Sequence, residues 1–143
     1  MSHATRFTLA RLRAMIDHMP FNKSLGIRVA RMHKDGVTIQ CALRDDLRNL
    51  AGVLHGGVTA TMCDAAVGIA ITSHFHGARR STTVELKLNY FLPIESGLVV
   101  ARAKLLRIGK TLCVGQVHVY DSHKRLAGVA LVTYMLLPQD AAK

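Results

Sequence analysis

The chain of 143 residues carries 19 Lys and Arg against 9 Asp and Glu, a formal net charge of +10, with half its residues hydrophobic and a fifth charged. That composition excludes a disordered or collagen-like chain, and the length suits one domain whose core needs no disulfide or metal staple. Cys41, Cys63 and Cys113 lie far apart with no CxxC pair, which argues against a secreted disulfide scaffold and for a reducing compartment. The opening Met1-Ser2-His3-Ala4-Thr5-Arg6 leads into no apolar h-region of a signal peptide. The longest apolar stretch, Val58 to Thr72, is short for a bilayer span and holds Asp64 in its middle. One domain over 1–143, soluble and cytoplasmic, is the expectation. The positive charge favours an anionic partner. With no Trp, three Tyr and four Phe, and the basic residues scattered, nucleic acid is disfavoured; an anionic small molecule or a merely solubilising charge remains.

In chain order, Thr8 is placed to cap a first helix in which Leu9, Leu12, Ile16 and Met19 recur at helical spacing, and Pro20 stops it. Residues 26–32 and 37–43 flank Lys34-Asp35-Gly36, a hairpin signal, and a polar loop follows over 44–49. From Gly56 to about Ser73 the chain is small and apolar around its whole circumference, so a helix there must be covered on most sides. Residues 82–91 then set Val84, Leu86, Leu88 and Tyr90 on one face of a strand and Glu85, Lys87 and Asn89 on the other. Three more strand-like runs cover 98–107, 111–120 and 126–136. Their breaks at Gly109-Lys110 and Ser122-His123-Lys124 are short enough for antiparallel hairpins. A long buried helix followed by four antiparallel strands predicts an α+β fold, one curved sheet wrapped around the helix.

The run from Asn49 through His55-Gly56-Gly57 to Asp64 stands above the rest. A helix N-terminus presents unpaired amides and partial positive charge, and glycines there let a ligand atom approach the backbone. A tight loop-to-helix turn is the plainer explanation of the same residues. Asp64 is a carboxylate inside an apolar helix, where lost hydration strengthens it as a base; a partnered structural Asp is the alternative. The Asn49…His55-Gly56-Gly57…Asp64 pattern resembles the hotdog-fold acyl-CoA thioesterases of the phenylacetate-degradation type. Thr83-Val84-Glu85, the run Leu88-Asn89-Tyr90-Phe91-Leu92-Pro93, and Arg107-Ile108-Gly109-Lys110-Thr111 look like that family's later strands, so the resemblance covers about Leu25 to Leu137. His18-Met19-Pro20-Phe21-Asn22 followed by Leu25-Gly26 is similar to a bacterial subgroup acting on medium- and long-chain acyl-CoA.

The resemblance implies a hotdog fold and hydrolysis of an acyl-CoA thioester to free acid and coenzyme A, with no cofactor besides the coenzyme A of the substrate. Gly56, helped by Gly57, polarises the carbonyl, as unpaired amides at a helix start stabilise a growing oxyanion. Asp64 is implied as nucleophile or as the base that activates water. Thr83 falls where the family carries a hydroxyl that holds the attacking water, and ordinary strand Thr is the alternative. Asn49 either assists at the carbonyl or fixes the turn. His55 is read as orienting the turn rather than moving protons. Gly56 and Asp64 are eight residues apart, roughly 12 Å along one helix, so one helix cannot bring both to one carbonyl. Two antiparallel copies can, which with the resemblance implies a homodimer and beyond it a homotetramer.

Arg79, Arg80, Lys104, Arg107 and Lys110 are candidates for the coenzyme A phosphates, with a solvated face as the alternative. His74 and His76 lack a third ligand at a recognisable spacing, so no metal site is expected, and Cys63 reads as a small core residue. Two rival functions stay open. A hydratase or dehydratase on the same fold needs a His–acid pair. A non-catalytic acyl-CoA binder needs only the pocket.

Overall fold

The computed structural model describes residues 7–139; the opening residues 1–6, read above for a leader, lie outside the described residues. Helices α1 (Leu9–Ile16) and α2 (Pro20–Leu25) precede strands β1 (Arg28–His33) and β2 (Gly36–Ala42). A single-turn 3-10 helix at Asp45–Leu47 leads to the long helix α3 (Gly56–His74), and β3 (Ser81–Tyr90), β4 (Leu98–Ile108), β5 (Leu112–Tyr120) and β6 (Leu126–Leu136) follow. The six strands form one antiparallel sheet in the order β1-β2-β4-β5-β6-β3, and α3 packs against five of them. This is the α+β arrangement that the strand pattern predicts.

Thr8 caps α1 as its position suggests, its Oγ1 accepting from Arg11 N at 3.2 Å, and Leu12 and Ile16 turn into the core. Pro20 does not stop this helix. α1 ends at Ile16, and Pro20 instead opens α2, with Met19 as its cap. A proline at the first helical position gives up an N–H that had no partner there, and its fixed φ suits the helix. The β1–β2 turn is Lys34-Asp35, one residue earlier than Asp-Gly would set it. Asp35 Oδ1 accepts from Arg102 Nη2 at 2.5 Å, which braces the turn against β4.

The core sits between α3 and the sheet, with Met62, Val67 and Ile71 facing Val37, Ile39, Val99, Val117 and Val132 among its buried members. One stripe of α3 is left partly open: Thr61, Asp64, Ala65, Gly68 and Thr72, at the three- and four-residue spacing of a single helix face. No helix among the described residues is long and apolar enough to cross a membrane.

β3 corrects the alternation read from the sequence. Thr83 pairs with Tyr134 and Glu85 with Thr133, so Val84 is an extra residue at a bulge, and it is 57% exposed. Leu86 and Leu88 pack on the core as expected, but Val84 points away and Thr83 points in. One inserted residue reverses the parity of everything on its far side. β3 pairs only with β6, so its other edge is open within this chain.

Candidate active site

His55 is the N-cap of α3. Its Nδ1 accepts from Gly57 N at 2.9 Å, which puts the ring proton on Nε2 and uses the Gly57 amide inside the turn. The His55 ring thus holds the Gly57 N–H within the turn. Among the described residues nothing accepts from Gly56 N–H, which leaves it as the donor at the positive end of the helix. Tyr90 Oη donates to the Gly56 carbonyl at 2.5 Å, and a Cβ on Gly56 would lie 3.2 Å from that hydroxyl. Asn49 Oδ1 accepts from Ala51 N at 2.9 Å and Val53 N at 3.3 Å, so Asn49 shapes the loop, with its Nδ2 still to spend. Asn49, Gly56, Gly57, Tyr90 and Ile94 line a cavity of about 530 Å³.

Asp64 lies eight residues further along α3, on its open stripe. Thr83 Oγ1 and Tyr134 Oη both donate to Asp64 Oδ1, each at 2.7 Å, and Tyr134 Oη also reaches the Asp64 carbonyl at 2.8 Å. None of the described residues donates to Oδ2. The apolar enclosure expected around Asp64 is therefore only half present: one oxygen is solvated by protein hydroxyls. Thr83 and Tyr134 are cross-strand partners, and the β3 bulge turns Thr83 to the same side as Tyr134. Burial pushes the Tyr134 phenol well above its ordinary value, against the opposing pull of the Thr83 hydrogen bond and with help from Asp64, so it stays a neutral donor.

Asp64, Gly68, Thr83 and Tyr134 line a second cavity of about 600 Å³, walled by Met15, Met19 and Phe21 and reached by Arg79 and Arg80. The two cavities share no lining residue. The structure thus brings Asn49, His55, Gly56 and Gly57 to one place and Asp64, Thr83, Arg79 and Arg80 to another. Arg79 donates to the Leu137 carbonyl at 3.3 Å and lies over the Phe75 ring, with its buried Nε unpaired. The other basic candidates are elsewhere. Arg107 and Lys110 flank the β4–β5 turn, and Lys104 Nζ is 3.9 Å from Asp35.

Cys63 is fully buried beside Asp64, and burial together with that charge pushes its thiol up to about 12, which suits a core residue and not a nucleophile. His74 packs edge-on against Phe75 and His76 stacks on Phe7. Two tyrosines are not legible as site residues in the sequence pattern. Tyr90 lies in the run 88–93, where its spacing assigns it no role. Tyr134 lies on the core-facing parity of 126–136, and a tyrosine there needs a partner for its hydroxyl; that need was the available signal.

Comparison with known proteins shows the family and the fold. The family model described as the thioesterase superfamily matches residues 51–127, which include Gly56, Asp64 and Thr83. The medium/long-chain acyl-CoA thioesterase YigI of Escherichia coli is 29% identical over 136 residues, covering 83% of this chain and 86% of its own. Among solved structures, thioesterase HI1161 of Haemophilus influenzae superposes with a TM-score of 0.87 at 22% identity, over 95% of this chain and 94% of that one. The E. coli PaaI protein, from the phenylacetic acid degradation operon, superposes with a TM-score of 0.82 at 17% identity, over 90% of this chain and 92% of that one. These two share the fold. With a family model spanning more than half its length and a hotdog sheet wrapped around α3, the chain belongs to the thioesterase superfamily.

Proposed function

We propose that the protein hydrolyses the thioester of an acyl-CoA at a site completed by a second copy of the chain. The observation that carries this is Asp64: Oδ1 is held by two hydroxyls and Oδ2 has no donor among the described residues, beside a cavity with an apolar wall. The free Gly56 amide belongs to the other cavity, too far along the same helix to meet the same carbonyl. Two antiparallel α3 helices bring Gly56 of one chain to Asp64 of its partner, and the open edge of β3 offers a route for pairing. In that arrangement Gly56 N–H donates to the thioester oxygen as negative charge grows on it. Asp64 Oδ2 either attacks the carbonyl carbon, expelling the coenzyme A thiolate and leaving a mixed anhydride that water then opens to the free acid, or takes the proton of a water that attacks in its place as the thiolate leaves.

Methionine thioethers conform to a flexible chain, so Met15 and Met19 suit an aliphatic acyl group, the substrate type named for YigI. Arg79 and Arg80 on the same cavity suit the anionic end of coenzyme A. A hydratase is less well supported, because Asp64 pairs with two hydroxyls and the Nδ1 of His55 is held by Gly57. Thiol release across an acyl-CoA panel tests the proposal. Asp64→Asn should lower turnover by at least ~100-fold while acyl-CoA still binds. Near-normal hydrolysis by that variant would overturn the mechanism, and binding with no thiol release by the wild type would identify a non-catalytic acyl-CoA binder.

A further inference from the structure

Among the described residues, Tyr134 is the one side chain that grips both ends of the Asp64 residue, its backbone carbonyl at 2.8 Å and its carboxylate Oδ1 at 2.7 Å. A hydroxyl has one proton, so this is a shared donation, and its effect is geometric: the carboxylate is tied to its own helix turn. Thr83 closes the same oxygen from the neighbouring strand at 2.7 Å. With Oδ1 saturated by two donors, the second oxygen is the one left for water or substrate. The fit is built on both sides. Tyr134 is only 8% exposed, and a Cβ on Gly68, one helical turn beyond Asp64, would come within 2.7 Å of its hydroxyl. The phenol thus occupies room that the helix leaves for it.

We propose that Tyr134 is a positioning residue of the thioesterase: it fixes the rotamer of Asp64 so that Oδ2 alone faces the reacting carbonyl. The proposal rests on Asp64 being the catalytic carboxylate. Few other groups compete for this role. β3 contributes the Thr83 hydroxyl, with Ser81 and Thr82 also on the cavity wall, and α3 adds Thr61, Thr72 and the Cys63 thiol, held neutral by burial. The segment before β3 places Arg79 and Arg80 on the cavity wall. α1 and α2 add only the uncharged Met15, Ile16, Met19, Phe21 and Asn22. Removing the Tyr134 hydroxyl therefore takes away one of the two hydroxyls that donate to Asp64 Oδ1.

Tyr134→Phe keeps the ring and deletes the donor. A hydrogen bond to a charged group is lost, so kcat should fall by about tenfold to a hundredfold while KM stays within about twofold. A merely structural role would lower the thermal midpoint and the active fraction but leave kcat per folded molecule unchanged. Carbon-13 NMR of the Asp64 side-chain carboxyl at a single pH, identified by its absence in Asp64→Asn, reads the same hydrogen bonds with no turnover needed. The resonance should shift in Tyr134→Phe and, through the other donor, in Thr83→Val. An unmoved Asp64 resonance together with an unchanged kcat per folded molecule overturns the role of Tyr134. A wild type that releases no thiol from any acyl-CoA overturns the functional proposal instead, and the NMR resonance still decides whether Tyr134 holds Asp64.

Discussion

Gly68 decides whether Tyr134 can reach Asp64. A methyl group there would stand 2.7 Å from the Tyr134 hydroxyl and 3.1 Å from its ring carbon Cζ, so the phenol must move. Alanine is the better helix former by about 1 kcal/mol, which opposes any loss of stability from the crowding. Gly68→Ala should therefore keep its thermal midpoint within a few degrees of the wild type and still lose about tenfold in kcat, as a displaced hydroxyl forfeits its bond to the carboxylate. Steady-state kinetics beside differential scanning fluorimetry reads both. Unchanged kcat would mean that the exact seat of the phenol does not matter. At this same scale His55 shows how a site uses its polar groups: a ring nitrogen spent on the Gly57 amide leaves Gly56 as the free donor.

Among the elements, the β5–β6 turn is where a single carboxylate does the joining. Asp121 is buried, its Oδ1 accepts from the backbone N–H of His123 and of Arg125 at 2.9 Å each, and its Oδ2 accepts from Arg125 Nε at 2.7 Å. Burial works to raise its pKa, but these hydrogen bonds and the Arg125 charge outweigh it and hold the carboxyl below the ordinary value. A carboxyl depressed in the folded state stabilises the fold above its unfolded pKa of about 4 and loses that contribution as pH falls through the folded value. Asp121→Asn should thus lower the urea midpoint at pH 6, and the gap to wild type should shrink as the pH drops from about 5 towards 2. A gap that stays constant with pH would show that the carboxylate charge contributes nothing at this turn. β3 works differently: its bulge costs a regular ladder step and in return aims Thr83 at Asp64.

For the whole molecule the question is whether one site draws on two chains. Asp64→Asn removes the carboxylate and Gly56→Pro removes the free amide. The backbone suits the second change, because Gly56 is the first helical residue and His55 before it sits at φ -60° and ψ 131°, the extended region that a following proline requires; a Cβ there stands 3.2 Å from the Tyr90 hydroxyl, so Tyr90 must give way by a few tenths of an ångström. Each homodimer should be nearly inactive. In a mixed dimer one site receives both lesions and the other receives neither, if each site takes Gly56 and Asp64 from different chains. Random pairing makes about half the dimers mixed, each with one intact site of two, so roughly a quarter of wild-type activity should return. Light scattering after size exclusion verifies that the variants still associate. A verified mixed dimer without activity would place each site within one chain.

Much of this protein is written in neighbouring residues. The apolar circumference of 56–73, the Thr8 cap and the hairpin breaks between the last three strands depend on periodicity and turn chemistry over a few positions, and they are legible without tertiary information. His55-Gly56-Gly57 and Asp64 are likewise visible, because a glycine pair at a helix start and a carboxylate in an apolar helix are anomalies on their own terms. Pro20 was ambiguous, since proline ends one helix and begins another with equal ease. What only the folded chain decided is which groups meet. Tyr134 reaches Asp64 across 70 positions, and Thr83 joins them only because Val84 is bulged out of the β3–β6 ladder. Strand parity is a property of pairing and not of the strand, so a single extra residue can move a threonine from solvent to the site. The edge position of β3 was equally out of reach, because sheet order is set by how the hairpin of β4 and β5 docks between β2 and β6. The residues of the site are thus local in sequence, and the hydrogen bonds that arm Asp64 are not.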